Sequence, residues 1–282
     1  MTGTESAALP PTAAGVPAGA RIDTSKPHPA RVYDWFLGGK DNYPVDEALG
    51  RQIMSLDQSA QHVARGNRAF MRRATGWLAA EAGIRQFLDI GSGIPTAPNL
   101  HQIAQGYAPD ARVVYADNDP VVLAHSAALL HSTPEGSVDY LQADVRSPRR
   151  ILDLAAASLD LSRPVAVSLV ALMHFVPDED GAYELVKHLV DAVPSGSYLV
   201  LSQLTPELDP TGVQRGVEMY AAGGVTLAPR SRAETARFFS GLVPAGPGLV
   251  LLEDWHPELG GAGDEPRTEA PIPLYAAVAR KP

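Results

Sequence analysis

The chain has 282 residues, a formal net charge of −9 and no cysteine. The acidic balance offers no basic footprint for tracking phosphates, which argues against bulk nucleic acid as a partner, and the missing thiol excludes disulfides, thiolate metal sites and any Cys nucleophile. No apolar run reaches the roughly 20 residues needed to cross a bilayer and no signal-peptide layout opens the chain, so the expectation is a cytoplasmic protein with no membrane partner, built as one α/β domain with a helical extension.

Residues 1–26 are rich in Ala, Pro, Gly and Thr and read as a flexible tail. From Pro27 the texture changes, and 27–84 reads as an N-terminal helical lid or extension. Its first part, ARVYDWFLGGKDNYPVD, predicts a short helix and a structured loop. Trp35 and Phe36 are expected to pack on the core. Tyr33, Lys40, Asp41, Asn42 and Tyr43 fit either a fixed loop or a lid that closes over a ligand. A longer helix is expected from Val45 to about Ala82, with Ile53, Leu56, Val63, Phe70, Trp77 and Leu78 at helical spacing, and Arg65, Arg68, Arg72 and Arg73 fit either a solvated face or a local basic patch.

Over 85–282 strands and helices alternate. QFLDI (86–90) predicts a strand, GSGIPT a turn and 99–105 a helix. RVVYAD is the next strand, and DPVVLAHSAALL a helix opened by Asp119 with Pro120 in its first turn. DYLQAD (139–144) is a strand and ILDLAAAS a helix. VAVSLVAL (165–172) has the continuous hydrophobicity of a central strand buried on both faces. A helix over 179–193 leads to the strand SYLVLSQL. SRAETARFFSGL then carries Ser231 and Glu234 at capping-box spacing, and GLVLLEDW and LYAAVAR read as two antiparallel strands. The expected fold is a doubly wound, mostly parallel sheet closed by a C-terminal antiparallel hairpin.

Three acids end the first three strands: Asp89, Asp117 and Asp144, spaced 27 to 28 residues apart. Ligands of open α/β sheets bind at the carboxyl ends of the strands near the switch in strand order, so the three converge on one crevice. The turn Gly91-Ser92-Gly93 lets the backbone bend tightly and approach a ligand. A carboxylate at the first turn suits an ammonium group, one after the second strand suits ribose hydroxyls, and one after the third suits an adenine amine. A dinucleotide fingerprint would need a third small residue where Thr96 stands, and no Gly-Lys-Ser or Gly-Lys-Thr closes a P-loop.

This order of motifs resembles class I S-adenosylmethionine-dependent methyltransferases. RVYDWFLGGKDNYPVD, FLDIGSGIPT, VVYADNDPVVL and LYAAVAR resemble a narrower, mainly actinobacterial family of methyltransferase-like proteins over about Pro27–Pro282. The resemblance implies S-adenosylmethionine as cofactor and S-adenosylhomocysteine as product. It implies Asp89, Gly91, Ser92 and Gly93 at the methionine end, Asp117 at the ribose with Asn118 and Asp119 flanking it, and Asp144 with Val145 at the adenine. Ala171 joins this set from the end of the fourth strand, and Tyr33, Asn42 and Tyr43 from the lid.

His174 is the candidate general base, since a neutral imidazole can take an acceptor's proton, although a partly buried structural histidine fits as well. No histidines show metal-ligand spacing, and no metal is expected. The acceptor is expected to be a small molecule methylated on O or N, in a pocket to which Glu218, Met219, Tyr220 and Arg230 are candidates. The absence of NPPY lowers amino methylation of adenine or amides. A non-catalytic, cofactor-binding regulator is the alternative that binding motifs leave open.

Overall fold

The computed structural model describes residues 23–56, 58–129, 131–261 and 271–282. The tail expected over 1–26 therefore falls outside the described residues, apart from its last four. Seven strands form one sheet in the order β3-β2-β1-β4-β5-β7-β6. They are β1 (Gln86–Ile90), β2 (Arg112–Asp117), β3 (Ser137–Gln142), β4 (Ala166–Leu169), β5 (Tyr198–Leu204), β6 (Val243–Leu251) and β7 (Leu274–Arg280). β1 to β5 run parallel, and β7 lies antiparallel between β5 and β6. The order turns between β1 and β4, which puts the switch point where the sequence places Asp89.

Alternation along β1 assigns its side chains. Leu88 and Ile90 join the layer formed with α6 (Pro148–Ala155) and α7 (Ala182–Asp191), while Phe87 faces the opposite layer of α3 (Ala60–Ala80) and α4 (Leu100–Tyr107). Asp89, two residues from Phe87, falls on the α3 side by the period of two. β4 is buried throughout, as its hydrophobicity predicts. It ends at Leu169, three residues earlier than expected, because the chain turns at Ala171 with φ 54°, and the Ala171 amide donates to Ser202 Oγ (2.8 Å).

Several boundaries differ from those expected. The long helix expected over 45–82 is two, α2 (Pro44–Leu56) and α3, with Ser59 at the N-cap position of the second. β3 starts and ends two residues early, leaving Asp144 in the loop beyond it. The helix after Ser231 is short, α9 (Arg232–Ala236), but its capping box forms: Ser231 N donates to Glu234 Oε2 (2.8 Å) and Glu234 N to Ser231 Oγ (3.2 Å). β6 begins at Val243 and stops at Leu251, where a 3-10 turn over Leu252–Asp254 delivers Trp255 fully into the core.

Ahead of the sheet, α1 (Pro29–Phe36) packs with α2 and α3 through Val32, Phe36, Leu49, Ile53 and Ala64. Trp35 stacks edge-on to Phe36 and fits over Gly50, where a β-carbon would collide with its ring. The pair therefore packs as its apolar character predicts. α5 (Pro120–Leu129) opens on Asp119-Pro120 as expected, and α8 (Pro210–Ala222) opens in the same way on Asp209, whose carboxylate accepts from Gly212 N (2.9 Å). The glycines of α8 interrupt its apolar period, so hydrophobic spacing alone does not predict this helix. No helix among the described residues is long and apolar enough to cross a membrane.

Candidate functional site

A cavity of about 670 Å³ opens at the carboxyl ends of β1 to β5, roofed by α1, α2, α3 and α8 and bordered by the start of β7. Asp89, Asp117 and Asp144 all line it, with Gly91, Ser92, Gly93, Asn118, Val145, Ala171, His174 and Tyr33. Residues from four strand ends and one added helix thus meet in one space.

The turn after β1 is held by the second carboxylate. Gly91 N donates to Ala116 O (2.7 Å), and Gly93 N donates to Asp117 Oδ2 (2.9 Å). Gly91 has φ 72°, and a β-carbon there would lie 2.6 Å from Leu172 Cδ1, so only glycine fits. A β-carbon on Gly93, φ 66°, would meet nothing within 4 Å, and the backbone there faces open cavity. The Ser92 hydroxyl is buried with no hydrogen-bond partner among the described residues, and its backbone N donates to Ala116 O (3.4 Å).

Asp117 Oδ1 accepts from Asp119 N (2.9 Å). Each carboxylate oxygen so far holds one amide, and an ionised carboxylate has about four acceptor positions, so two remain for hydroxyls. Burial raises the pKa of Asp117, and burial pushes that of Asp89 up to about 6. Asp144 is different: burial pulls it upward, but hydrogen bonds from Arg146 N (2.8 Å) and Asn118 Nδ2 (2.9 Å), with the Arg146 charge, hold it below the usual carboxylate range. Asn118 therefore braces Asp144 as it lines the cavity.

Three residues expected at the ligand lie elsewhere. Asp119 turns inward: its Oδ1 caps α5 through Val121 N (2.9 Å), and its Oδ2 receives Arg31 Nε (2.9 Å). Asn42 does not reach the cavity because the GGKDN turn closes on the buried Asp34, whose Oδ2 accepts from Asn42 Nδ2 (2.9 Å) and Asp41 N (3.0 Å). Tyr43 places its ring 5.3 Å from the Arg31 guanidinium and lies outside the cavity lining. Lys40 is exposed and Asp41 faces His125 at 3.5 Å.

Tyr33 does reach it. Its hydroxyl donates to Ala64 O (2.8 Å) and accepts from Asn67 Nδ2 (3.1 Å). Ser202 Oγ in turn donates to Asn67 Oδ1 (2.6 Å) and accepts from the Ala171 amide (2.8 Å). This buried chain ties α1 to the strained turn after β4.

His174 lines the cavity, but burial and the neighbouring Arg230 lower its pKa to about 3, so it is neutral and a weak proton acceptor near neutral pH. Of the acceptor-pocket candidates, only Tyr220 lines the cavity. Met219 is buried, Glu218 is exposed and receives Gln214 (3.0 Å), and Arg230 clamps the loop after β4 through Met173 O (2.8 Å) and Val176 O (2.7 Å).

The arginine face also differs from expectation. Arg73 is buried and donates to Trp255 O (2.9 Å) and Leu252 O (2.7 Å). Arg68 lines the cavity on the side of Asp89 and donates to Thr96 O and Pro98 O. Asn67, Arg68 and His62, whose Nε2 lies 3.9 Å from Glu253, are site residues the sequence reading missed. The available signal was the i+3 and i+4 spacing of Val63, Ala64, Asn67, Arg68 and Met71, which puts them on one side of α3.

A family model described as S-adenosyl methyltransferase matches residues 16–282. A DUF574 family protein from Streptomyces avermitilis is 48% identical, with 93% of this chain and 100% of that chain covered and a TM-score of 0.89. A candidate methyltransferase from Thermobifida fusca is 37% identical over 92% of this chain and 97% of that one, with a TM-score of 0.83. A methyltransferase from Anabaena variabilis, 13% identical over 91% and 97% of the two chains with a TM-score of 0.50, shares the fold. Among curated proteins, none matches the chain.

Proposed function

Because the chain belongs to the S-adenosyl methyltransferase family and is an S-adenosylmethionine-dependent methyltransferase, we propose that the cavity at the switch point holds that cofactor along its carboxylate edge and passes the methyl group to an O or N atom of a small molecule. The supporting observation is the meeting of Asp89, Asp117 and Asp144 in one cavity, with the open backbone of Gly93 between them.

In this reading Asp117 spends its two free acceptor positions on ribose hydroxyls, and Asp144, kept ionised by Arg146 and Asn118, accepts from the adenine amine with Val145 beneath the ring. Asp89 takes the ammonium of the methionine end, and Arg68 takes its carboxylate. Ala171 and Leu172 wall the sulfur side, held there by Ser202 and Arg230. Bound there, the cofactor supplies a methyl group already activated by the sulfonium, so the protein contributes mainly alignment and exclusion of water. His174 stays neutral and acts as a wall of the pocket. Tyr33 and the rest of α1 cover the ribose side as part of the extension.

Calorimetric titration with S-adenosylmethionine, S-adenosylhomocysteine and NAD tests the reading. Both methionine derivatives should bind and NAD should not; the reverse pattern would overturn it. The same titration carries a pH prediction. Asp89 has its pKa raised from 3.8 to about 6, so the free folded protein holds a proton there that the unfolded chain has already released. Its contribution to stability is present below 3.8 and is lost as pH rises through about 6. Ligand binding has the opposite sign, since the ammonium needs the ionised carboxylate. Affinity for S-adenosylhomocysteine should therefore be about ten-fold weaker at about pH 5 than at about pH 7.5, with proton release on binding near pH 6. Asp89→Asn should flatten this dependence, and an unchanged slope in that variant would remove Asp89 from the ammonium site.

A further inference from the structure

The cavity extends beyond the carboxylate edge, and its far half has a different chemistry. It is walled by Ile53, Val63, Val213, Val225, Ile272 and Leu274, drawn from α2, α3, α8, the loop after α8 and the approach to β7. The arginines lining the cavity, Arg68 and Arg146, are both on the carboxylate side, and both already face carbonyl or carboxylate oxygens. No lysine or arginine among the described residues lines the far half. Its carboxylate, Asp209, is exposed at the rim and caps α8 through Gly212 N (2.9 Å). An anion entering this half would lose water and find no counter-charge, and a cation would find one only at the mouth. Ser59, His62, which faces Glu253 at 3.9 Å, Tyr220 and Thr226 are the polar side chains along this half, each uncharged or already beside a carboxylate, and they suit a hydroxyl rather than an ion.

The helix α8 makes the room. Gly212, Val213, Gly216 and Tyr220 all face the cavity, at positions that share one side of a helix. Gly212 has a local explanation, since a β-carbon there would strike the capping carboxylate of Asp209 at 2.0 Å. Gly216 has none: a β-carbon there would meet nothing within 4 Å. Glycine inside a helix gives up about 1 kcal/mol relative to alanine, so Gly216 weakens α8 without relieving any clash, and what it leaves is space in the cavity.

Resting on the cofactor reading above, we infer that this far half is the acceptor site and that it takes an apolar, uncharged molecule with a single polar group, admitted by the missing side chain at Gly216. The test uses the full chain saturated with S-adenosylhomocysteine and three probes of one ring system: 2-naphthol, 2-naphthoate and 2-naphthylmethylammonium, followed by calorimetry or tryptophan fluorescence. The neutral naphthol should bind at least about ten-fold more tightly than either ion, because only the ions pay to be desolvated without a partner.

Gly216→Leu should fold, since leucine is a better helix former and its side chain enters open space. It should lose naphthol binding by at least about ten-fold while keeping the affinity for S-adenosylhomocysteine within about two-fold, as expected for a distant site. Gly216→Ala serves as the folding control, with a raised melting temperature and naphthol binding retained. Equal or tighter binding of either ion, no naphthol binding, or naphthol binding unchanged in Gly216→Leu would overturn the inference while the cofactor reading stands. Failure of the wild-type chain to bind S-adenosylhomocysteine would overturn both.

Discussion

Arg31→Met is expected to destabilise the protein by about 3–5 kcal/mol, the usual cost of removing one partner from a buried ion pair. The guanidinium is 5% exposed; its Nε donates to Asp119 Oδ2 at 2.9 Å and its Nη1 lies 3.6 Å from Asp46 Oδ2, with both carboxylates essentially sealed from solvent. Methionine preserves most of the apolar stem but leaves two buried carboxylates without their cation. His28 Nδ1 lies 3.2 Å from Asp119 Oδ2, on the same carboxylate oxygen as Arg31. Chemical denaturation measures the loss, and hydrogen exchange over 29–56 shows whether α1 undocks before the sheet opens. A cost below about 1 kcal/mol would mean that α1 contributes little to the folded state and behaves as the detachable lid that the sequence allowed. The buried charges, with Val32 and Phe36 beneath them, lead us to propose instead that α1 is a fixed wall of the cavity.

That contact also shows where sequence reasoning stops. Asp119 follows Asp117 by two positions, and the family resemblance implies a place for it flanking the ribose. One oxygen of Asp119 is used by the local cap on Val121 N, which the Asp-Pro helix start announces, but the other is held by Arg31, 88 positions earlier, and no local pattern encodes a pairing at that range. Arg68 failed for a related reason. A charged residue on a helix is solvated by default, and its entry into the cavity depends on the Thr96 and Pro98 carbonyls of a separate loop.

Features set by neighbours in the chain were legible: the alternation of elements, the Asp119-Pro120 helix start, the Ser231–Glu234 capping box and the glycine turn after β1. The helix α8 was legible in principle, because Asp209-Pro210 repeats the start used correctly for α5, but its glycines interrupt the apolar period. The far half of the cavity was not legible, since it exists only where α2, α3, α8 and the entry to β7 come together.

Asp117→Ala is expected to weaken S-adenosylhomocysteine binding by about 1.5–3 kcal/mol, or roughly 10- to 150-fold, the range for hydrogen bonds to a charged acceptor. The sequence alone predicts an otherwise unchanged fold, and the structure adds a second cost. Gly93 N and Asp119 N each donate to this carboxylate, one to each oxygen at 2.9 Å, so alanine orphans two amides as well as the ribose. Each orphan costs about 1–3 kcal/mol where water cannot reach it, and the glycine turn loses the contact that fixes its height above β1.

Asp117→Asn separates the two roles. Its carbonyl oxygen still accepts from one amide while its NH2 group faces the other as a donor, so stability should fall less than in the alanine variant, yet the charge available to ribose hydroxyls is gone in both. Calorimetry and urea denaturation on the two variants give four numbers. If both lose cofactor affinity together while their stabilities differ, the carboxylate binds ribose directly. If affinity instead tracks stability, with Asn binding close to wild type, Asp117 acts only by shaping the turn, and the ribose hydroxyls must find their acceptor elsewhere along the edge between Asp89 and Asp144.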